Sequence, residues 1–375
     1  MTNVFLLKLI DRIVGRCLCS LFLRSRSEKF EKINQILIIR PGGIGDAVLL
    51  ASTINFLKKS SPGCHITILA EQRNAGVFPL IPGVAKVLCY DRPHVFIQAL
   101  RGRYDVVIDT EQCYRLSAVV ARLVRAPMKI GFATNERRRM FTHGVPYDLD
   151  AYEPDNFLAL LKPLGIDNKP VFGTATLTLP GASISKATQL LQSLCSDSFV
   201  VISAGASIPE KRWPTDRFRR VAEMLSAFGV KVVVVGGKED RRQGEVIAGG
   251  GLGLNLAGLT SLSETASVIQ KSSLLVSGDS GVLHIAVGLG IPTVSLFGPG
   301  RARKWAPRGD RHIVIDKGLL CSPCTTFGNT PPCPIDARCM RDITVDEVVN
   351  AVTMLLTSVG AMPSGCSKRD WIEKN

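Results

Sequence analysis

ILIIRPGGIGDAVLL, residues 36–50, runs four apolar residues into a glycine-rich turn and the turn into a second apolar run. The isoleucine-rich start reads as a buried strand and AVLL as the start of a helix. Gly42, Gly43 and Gly45 leave the turn without side chains, so backbone can pass close to a ligand there. The turn ends on one carboxylate, Asp46. A strand–glycine–helix unit suggests a dinucleotide fingerprint or a phosphate loop, but the G-x-G-x-x-G spacing is missing. The next strand, HITILAEQ, ends without an acid clearly placed for a ribose, which argues against a Rossmann oxidoreductase.

Outward from this unit the chain alternates strands and helices. HITILA (65–70), KVLCY (86–90), DVVIDT (105–110) and MKIGF (128–132) read as strands. HVFIQALRG and RLSAVVARLVRA (115–126) read as helices between them. NERRRMFTHGVPYDLD (135–150) reads as a long polar, functional loop, DNFLALLKPLG (155–165) as a helix and DNKPVFG (167–173) as a linker. A second alternation follows, with strands FVVISAG (199–205), KVVVVGG (231–237), short GLNLAG (253–258), LLVSGDSG (274–281), which runs into a turn, and, last, PTVSLFGP (292–299). Its helices are DRFRRVAEMLSAFG (216–229), RRQGEVIAGG (241–250), SLSETASVIQKS (261–272) and VLHIAVGLG (282–290). DEVVNAVTMLLTSVG (346–360) closes the chain as a helix before a frayed polar tail. Repeated βα units predict a doubly wound parallel sheet, here twice over, with ligands at the carboxyl ends of the strands and the site in the cleft between the halves.

The bulk numbers set limits. A chain of 375 residues suits two domains, and 46% hydrophobic with 21% charged residues is globular composition. Lys and Arg total 46 against 32 Asp and Glu, a net charge of +14, which favours an anionic partner. Aromatics are only 6% and no basic run is interleaved with them, so nucleic acid is not expected. Eleven cysteines in a chain this long suit reduced thiols in the cytoplasm. VFLLKLIDRIVGRCLCSLFLR (4–24) is apolar, but Lys8, Asp11, Arg12 and Arg16 interrupt any bilayer span, and no clear cleavage site follows. Two readings stay open: a basic amphipathic helix on an anionic membrane surface, and a helix packed on the protein itself.

Two stretches of the second half carry chemistry. VSGDSGVLHIAVGLGIPTVSLFGP (276–299) delivers Asp279, Ser280 and Gly281 to a helix start, where free N–H groups and the helix dipole suit a phosphate. His284 in the first turn can donate to the same anion; Asp279 suits a helix cap or sugar hydroxyls. SAGASIPEKRWPTDRF (203–218) ends a strand in small residues and presents Lys211, Arg212 and Trp213 before a helix. A loop lysine can neutralise a diphosphate. GGKED (236–240) ends the next strand, and Glu239 can accept from ribose hydroxyls. Each stretch alone also fits an ordinary capped helix or a solvated basic loop.

Taken together, the GGIGD turn, KRWP and GDSGVLHIAVGLGIPTVSLFGP resemble the ADP-heptose:lipopolysaccharide heptosyltransferases, glycosyltransferase family 9, over about residues 34–355. The resemblance implies the GT-B fold, an α/β architecture of two Rossmann-like doubly wound domains facing across a cleft. It also implies inverting, metal-independent transfer of heptose from ADP-heptose to the lipopolysaccharide core, with no cofactor. Asp46 matches the family's proposed general base and Lys211 its donor lysine. Glu239 lies near its acidic nucleoside contact, and Asp279, Ser280, Gly281 and His284 match its donor turn. The anionic acceptor would meet Arg115, Arg122, Arg137, Arg138 and Arg139, which read equally as a solvated basic face.

The expected division is a basic amphipathic segment (1–30), an acceptor domain (31–168) and a nucleotide-sugar donor domain (174–345) with a Cys-rich loop (321–339). A closing helix and tail follow (346–375). In that loop Cys321, Cys324, Cys333 and Cys339, spaced C-x2-C-x8-C-x5-C, have the ligand types of a zinc site; buried thiols or a local disulfide are favoured over it. The protein is expected in the cytoplasm, against the inner membrane. Other readings are a transferase of this fold using another nucleotide-sugar, and a non-catalytic relative binding nucleotide-sugar or metal.

Overall fold

The computed structural model describes residues 10–21, 33–167, 174–194, 196 and 198–362. The chain divides into two compact units, Met1–Val171 and Phe172–Asn375. Most of the predicted linker 167–173, residues 4–9 and 22–24 of the apolar N-terminal stretch, and the polar tail lie outside the described residues.

Unit 1 contains β1 (Gln35–Arg40), β2 (His65–Ala70), β3 (Val84–Cys89), β4 (Val106–Asp109), β5 (Met128–Phe132) and β6 (His143–Val145). They form one parallel sheet in the order β3-β2-β1-β4-β5-β6. Unit 2 contains β7 (Phe199–Ser203), β8 (Lys231–Val234), β9 (Gly253–Asn255), β10 (Leu274–Gly278), β11 (Thr293–Phe297) and β12 (His312–Asp316). Its parallel sheet runs β12-β11-β10-β7-β8-β9. Numbered from its own first strand, each sheet is 3-2-1-4-5-6, the doubly wound dinucleotide-fold order. In that order the strand sequence reverses direction between the first and fourth strands. The crevice therefore opens beside β1 and β4 in unit 1, and beside β7 and β10 in unit 2. Central strands are apolar nearly throughout because helices cover both faces: β4, β5, β7, β10 and β11 are buried at every position.

Local signals place the helices. Ser261 caps Leu262–Gln270 and exchanges bonds with Glu264, as Thr344 does with Glu347 ahead of Val345–Ser358. Three elements differ from the sequence expectation. The segment 135–150 is not a long loop: it folds into a 3₁₀ turn, Glu136–Met140, and edge strand β6. β12 follows the strand expected to be last, and a helix, Gly181–Leu191, opens unit 2.

Residues 10–21 form a π-helical turn, Asp11–Gly15, running on into α-helix Arg16–Leu21. One side packs on unit 1. The buried Asp11 carboxylate accepts from the backbone N–H groups of Arg115 (2.6 Å) and Leu116 (2.7 Å), at the start of helix Leu116–Leu123. Cys19 is fully buried in the cluster that includes Ala118 and Val119. The protein-packed reading of this segment is therefore realised on that face. Among the described residues no helix is long and apolar enough to cross a membrane.

Candidate active site

In unit 1 the carboxyl ends of β1 and β4 lie side by side, Ile39 in register with Asp109. β1 delivers Arg40 and β4 delivers Asp109, Thr110 and Glu111. Arg40 is 1% exposed and donates from Nη1 to the Thr110 carbonyl (2.8 Å) and from Nη2 to Asp46 Oδ2 (3.1 Å). Glu111 Oε2 stands 3.8 Å from the same Nη2. Burial opposes the guanidinium charge, but Asp46, Glu111, Glu153 and Asp109 outweigh it and hold Arg40 protonated. Burial pushes the Glu111 carboxyl up, against the pull of Arg40 and Arg137.

Asp46 sits in the first turn of helix Ile44–Leu49, after an N-cap at Gly43. Gly42 has φ +105°, and a Cβ there would lie 3.1 Å from Arg40 Nη2 and 3.7 Å from Asp46 Oδ2. Glycine is thus required at 42 both for the turn and for the Arg40–Asp46 pair. A second layer is built on the fully buried Glu153 and Arg137. Glu153 accepts from Gln112 Nε2 (2.7 Å) and the Tyr147 hydroxyl (2.9 Å). Arg137 Nη2 donates to Asp109 Oδ2 at 2.6 Å, and its Nη1 to the Glu111 carbonyl. Of the four carboxylates, Asp109, Glu111 and Glu153 have side chains no more than 6% exposed, whereas Asp46 is 23% exposed. Asp46 is thus the most solvent-accessible of the four.

The five arginines expected to meet the acceptor do not share one fate. Arg137 corrects the expectation of an acceptor-facing cation: it is a core residue, 0% exposed, paired with Asp109 and laid over the Phe141 ring. Arg115 grips Glu136 through Nε (3.0 Å) and Nη2 (2.7 Å). Arg122 is half-buried on helix Leu116–Leu123, and Arg138 and Arg139 are exposed.

In unit 2, β7 and β10 pair with Ser203 in register with Ser277, so their carboxyl ends adjoin. The loop after β7 returns Lys211 to the end of β10, where Nζ meets Asp279 Oδ2 at 2.5 Å. Both side chains are largely buried. Asp279 is therefore not the helix cap. Ser280 takes that place, its Oγ accepting from Leu283 N–H at the start of helix Gly281–Gly288. Gly300 is needed against this pair, since a Cβ there would stand 2.4 Å from Asp279 Oδ2. Trp213 is an anchor and not a ligand: it is buried, donates Nε1 to the Ile343 carbonyl (3.1 Å) and packs edge-on against Phe218. His284 is buried in the helix's first turn. Glu239 is exposed in the 3₁₀ turn Lys238–Asp240 that follows β8.

Cys321, Cys324, Cys333 and Cys339 line one small cavity with Glu210 and Arg338. They are free thiols, graded from exposed Cys321 to buried Cys339, and burial pushes Cys324 and Cys339 up. Among the described residues no three or more His, Cys, Asp or Glu side chains are gathered to hold a metal ion.

The sequence reading missed Arg40, Asp109, Glu111 and Glu153. The signals were present: a lone arginine ending an apolar strand, and an acid pair in VIDTEQ at the end of another.

The chain has relatives among known proteins. Lipooligosaccharide heptosyltransferase 2 of Haemophilus influenzae is 26% identical over 304 residues, covering 75% of this chain and 88% of that protein. Lipopolysaccharide heptosyltransferase 3 of Escherichia coli is 28% identical over 297 residues, covering 73% and 86%. The crystal structure of a family 9 glycosyl transferase from Veillonella parvula superposes with a TM-score of 0.76 at 22% identity, over 89% of this chain and all of that one, a likeness of fold. The family model described as glycosyltransferase family 9 (heptosyltransferase) matches residues 94–333, more than half of the sequence, and the chain belongs to that family.

Proposed function

We propose that this enzyme transfers heptose from ADP-heptose to the lipopolysaccharide core, with inversion and without a metal. Asp46 is the general base that takes the acceptor hydroxyl's proton. Lys211, Asp279, Ser280, Gly281, His284 and Glu239 make the donor site. Lys211 and the N–H groups at the start of helix Gly281–Gly288 meet the diphosphate, whose charge grows as ADP leaves. Gly42, Gly43 and Gly45 keep the turn around Asp46 open on the acceptor side. The acceptor is anionic and lipid-borne, so the enzyme works in the cytoplasm at the inner-membrane surface, and exposed Arg138 and Arg139 suit its charge.

The observation that carries this reading is the partly open Asp46 carboxylate among closed ones, in a chain of this family. The test is nucleotide release from ADP-heptose against UDP- and GDP-sugars, each with a defined core acceptor. Preference for ADP-heptose with acceptor-dependent ADP release is expected; equal or better use of another nucleotide-sugar would refute the donor assignment.

Lys211→Ala should raise the donor KM about 10- to 100-fold, the loss of one charge-assisted contact of about 1.5–3 kcal/mol. Steady-state kinetics with varied donor checks this. A donor KM and kcat both at wild-type values would remove Lys211 from the site.

A further inference from the structure

The segment 10–21 carries apolar side chains outward as well as inward, where Leu18 and Cys19 pack on the core. Its inner face is held by Asp11, Gly15 and Cys19. Its outer face carries Ile10, Ile13, Val14 and Leu21, exposed at 36%, 58%, 45% and 79%. These recur at roughly helical spacing, where a surface helix normally turns polar residues to water. Arg12 and Arg16 flank the apolar row and are exposed. Arg16 is shared with Glu136 at 3.3 Å. The 3₁₀ turn Glu136–Met140 adds exposed Arg138 and Arg139, and Arg139 Nη1 donates to the Ser20 carbonyl of this helix (3.3 Å). The one acid among residues 10–21, Asp11, is buried and committed to the Arg115 and Leu116 N–H groups.

We propose that this outer face is a docking surface for an anionic lipid bilayer, with the isoleucine, valine and leucine side chains entering the acyl boundary and the arginines meeting phosphate headgroups. The inference rests on the membrane-side acceptor named above and goes beyond it by assigning the surface. The charge pattern selects the occupant. An apolar row rimmed by cations, with its own acid turned inward, matches an anionic membrane surface. The attachment is rigid on the protein side, because a Cβ on Gly15 would come within 2.9 Å of Arg115 Cβ. That close packing, with the Asp11 bonds, ties the helix to helix Leu116–Leu123. Docking would thus hold all of unit 1 to the bilayer instead of tethering it by a loose arm.

Flotation of the full chain with phosphatidylethanolamine–phosphatidylglycerol vesicles, against pure phosphatidylcholine, tests the surface. The wild type should float with the anionic vesicles. Ile13→Glu/Leu21→Glu should lower its partitioning by about tenfold or more, since two buried apolar side chains are lost and two anions gained. Thermal unfolding and turnover on a deacylated, water-soluble acceptor should be unchanged. Failure of the wild type to float, or equal flotation of the variant, would overturn the proposal. So would a switch from dimer to monomer in the variant with flotation retained, which would assign the face to a second copy. Flotation without turnover on any lipopolysaccharide-type acceptor would instead refute the acceptor reading and leave the surface standing.

Discussion

Asp46→Asn should lower kcat by about 10²- to 10⁴-fold, the contribution of a positioned general base, with ADP affinity close to wild type. Asparagine is chosen because its amide oxygen can still accept from Arg40 Nη2, so the turn that depends on the 3.1 Å pair keeps its shape. What is lost is the ability to take a proton. Single-turnover kinetics with saturating donor and acceptor, alongside ADP titration, separates the two quantities. A kcat within a few-fold of wild type would end the base assignment. Glu111 is no substitute: it is buried, and its carboxylate oxygen accepts from the N–H groups of Gln112 (2.9 Å) and Cys113 (3.2 Å).

Arg137→Met should destabilise unit 1 by about 3–5 kcal/mol, the usual result of stripping one partner from a buried ion pair. The Asp109 carboxylate, 0% exposed, would keep only Ser117 Oγ (2.9 Å) and the Glu111 N–H (3.0 Å). For a unit of this size the melting transition should fall by roughly 10 °C. Arg138→Met and Arg139→Met, on exposed side chains, should move it by no more than about 0.5 kcal/mol. Differential scanning calorimetry of the three variants decides the matter. Equal, small shifts for all three would show that the Arg137–Asp109 pair does not stabilise the fold.

That contrast also marks the limit of what could be read from the sequence. ERRRM looks like one solvated basic run. In a 3₁₀ turn successive side chains point about a third of a turn apart, so Arg137 can enter the core while Arg138 and Arg139 face water. No property of the three letters distinguishes them; the carboxylate of Asp109, 28 residues earlier, does. β6 and β12 were hidden for a related reason. Both are edge strands: HGV is three residues long and HIVID is only half-buried, so neither shows the apolar run of a central strand. The central strands were legible to within about three residues because burial on both faces writes itself into the sequence, most closely in MKIGF and HITILA. Asp46 was legible from its turn, whereas Arg40 was not, since its meaning depends on which strand lies beside β1. Likewise the cap of helix Gly281–Gly288 passed from Asp279 to Ser280 because Lys211 claims the carboxylate from a loop 68 residues away.

Lys211 and Asp279 neutralise each other at the carboxyl end of β10. In the proposed donor role, a diphosphate does not add itself to a waiting cation. It meets a Lys211 ammonium already shared with Asp279, and it sets its own negative charge beside that carboxylate. A ligand that brings hydroxyl groups alongside its phosphates can offer donors to Asp279 as well as acceptors to Lys211. A polyanion without hydroxyl donors offers Asp279 nothing and leaves a negative charge beside its own. In that proposed role Asp279 would favour a ligand that carries hydroxyl donors over a simple anion of equal charge.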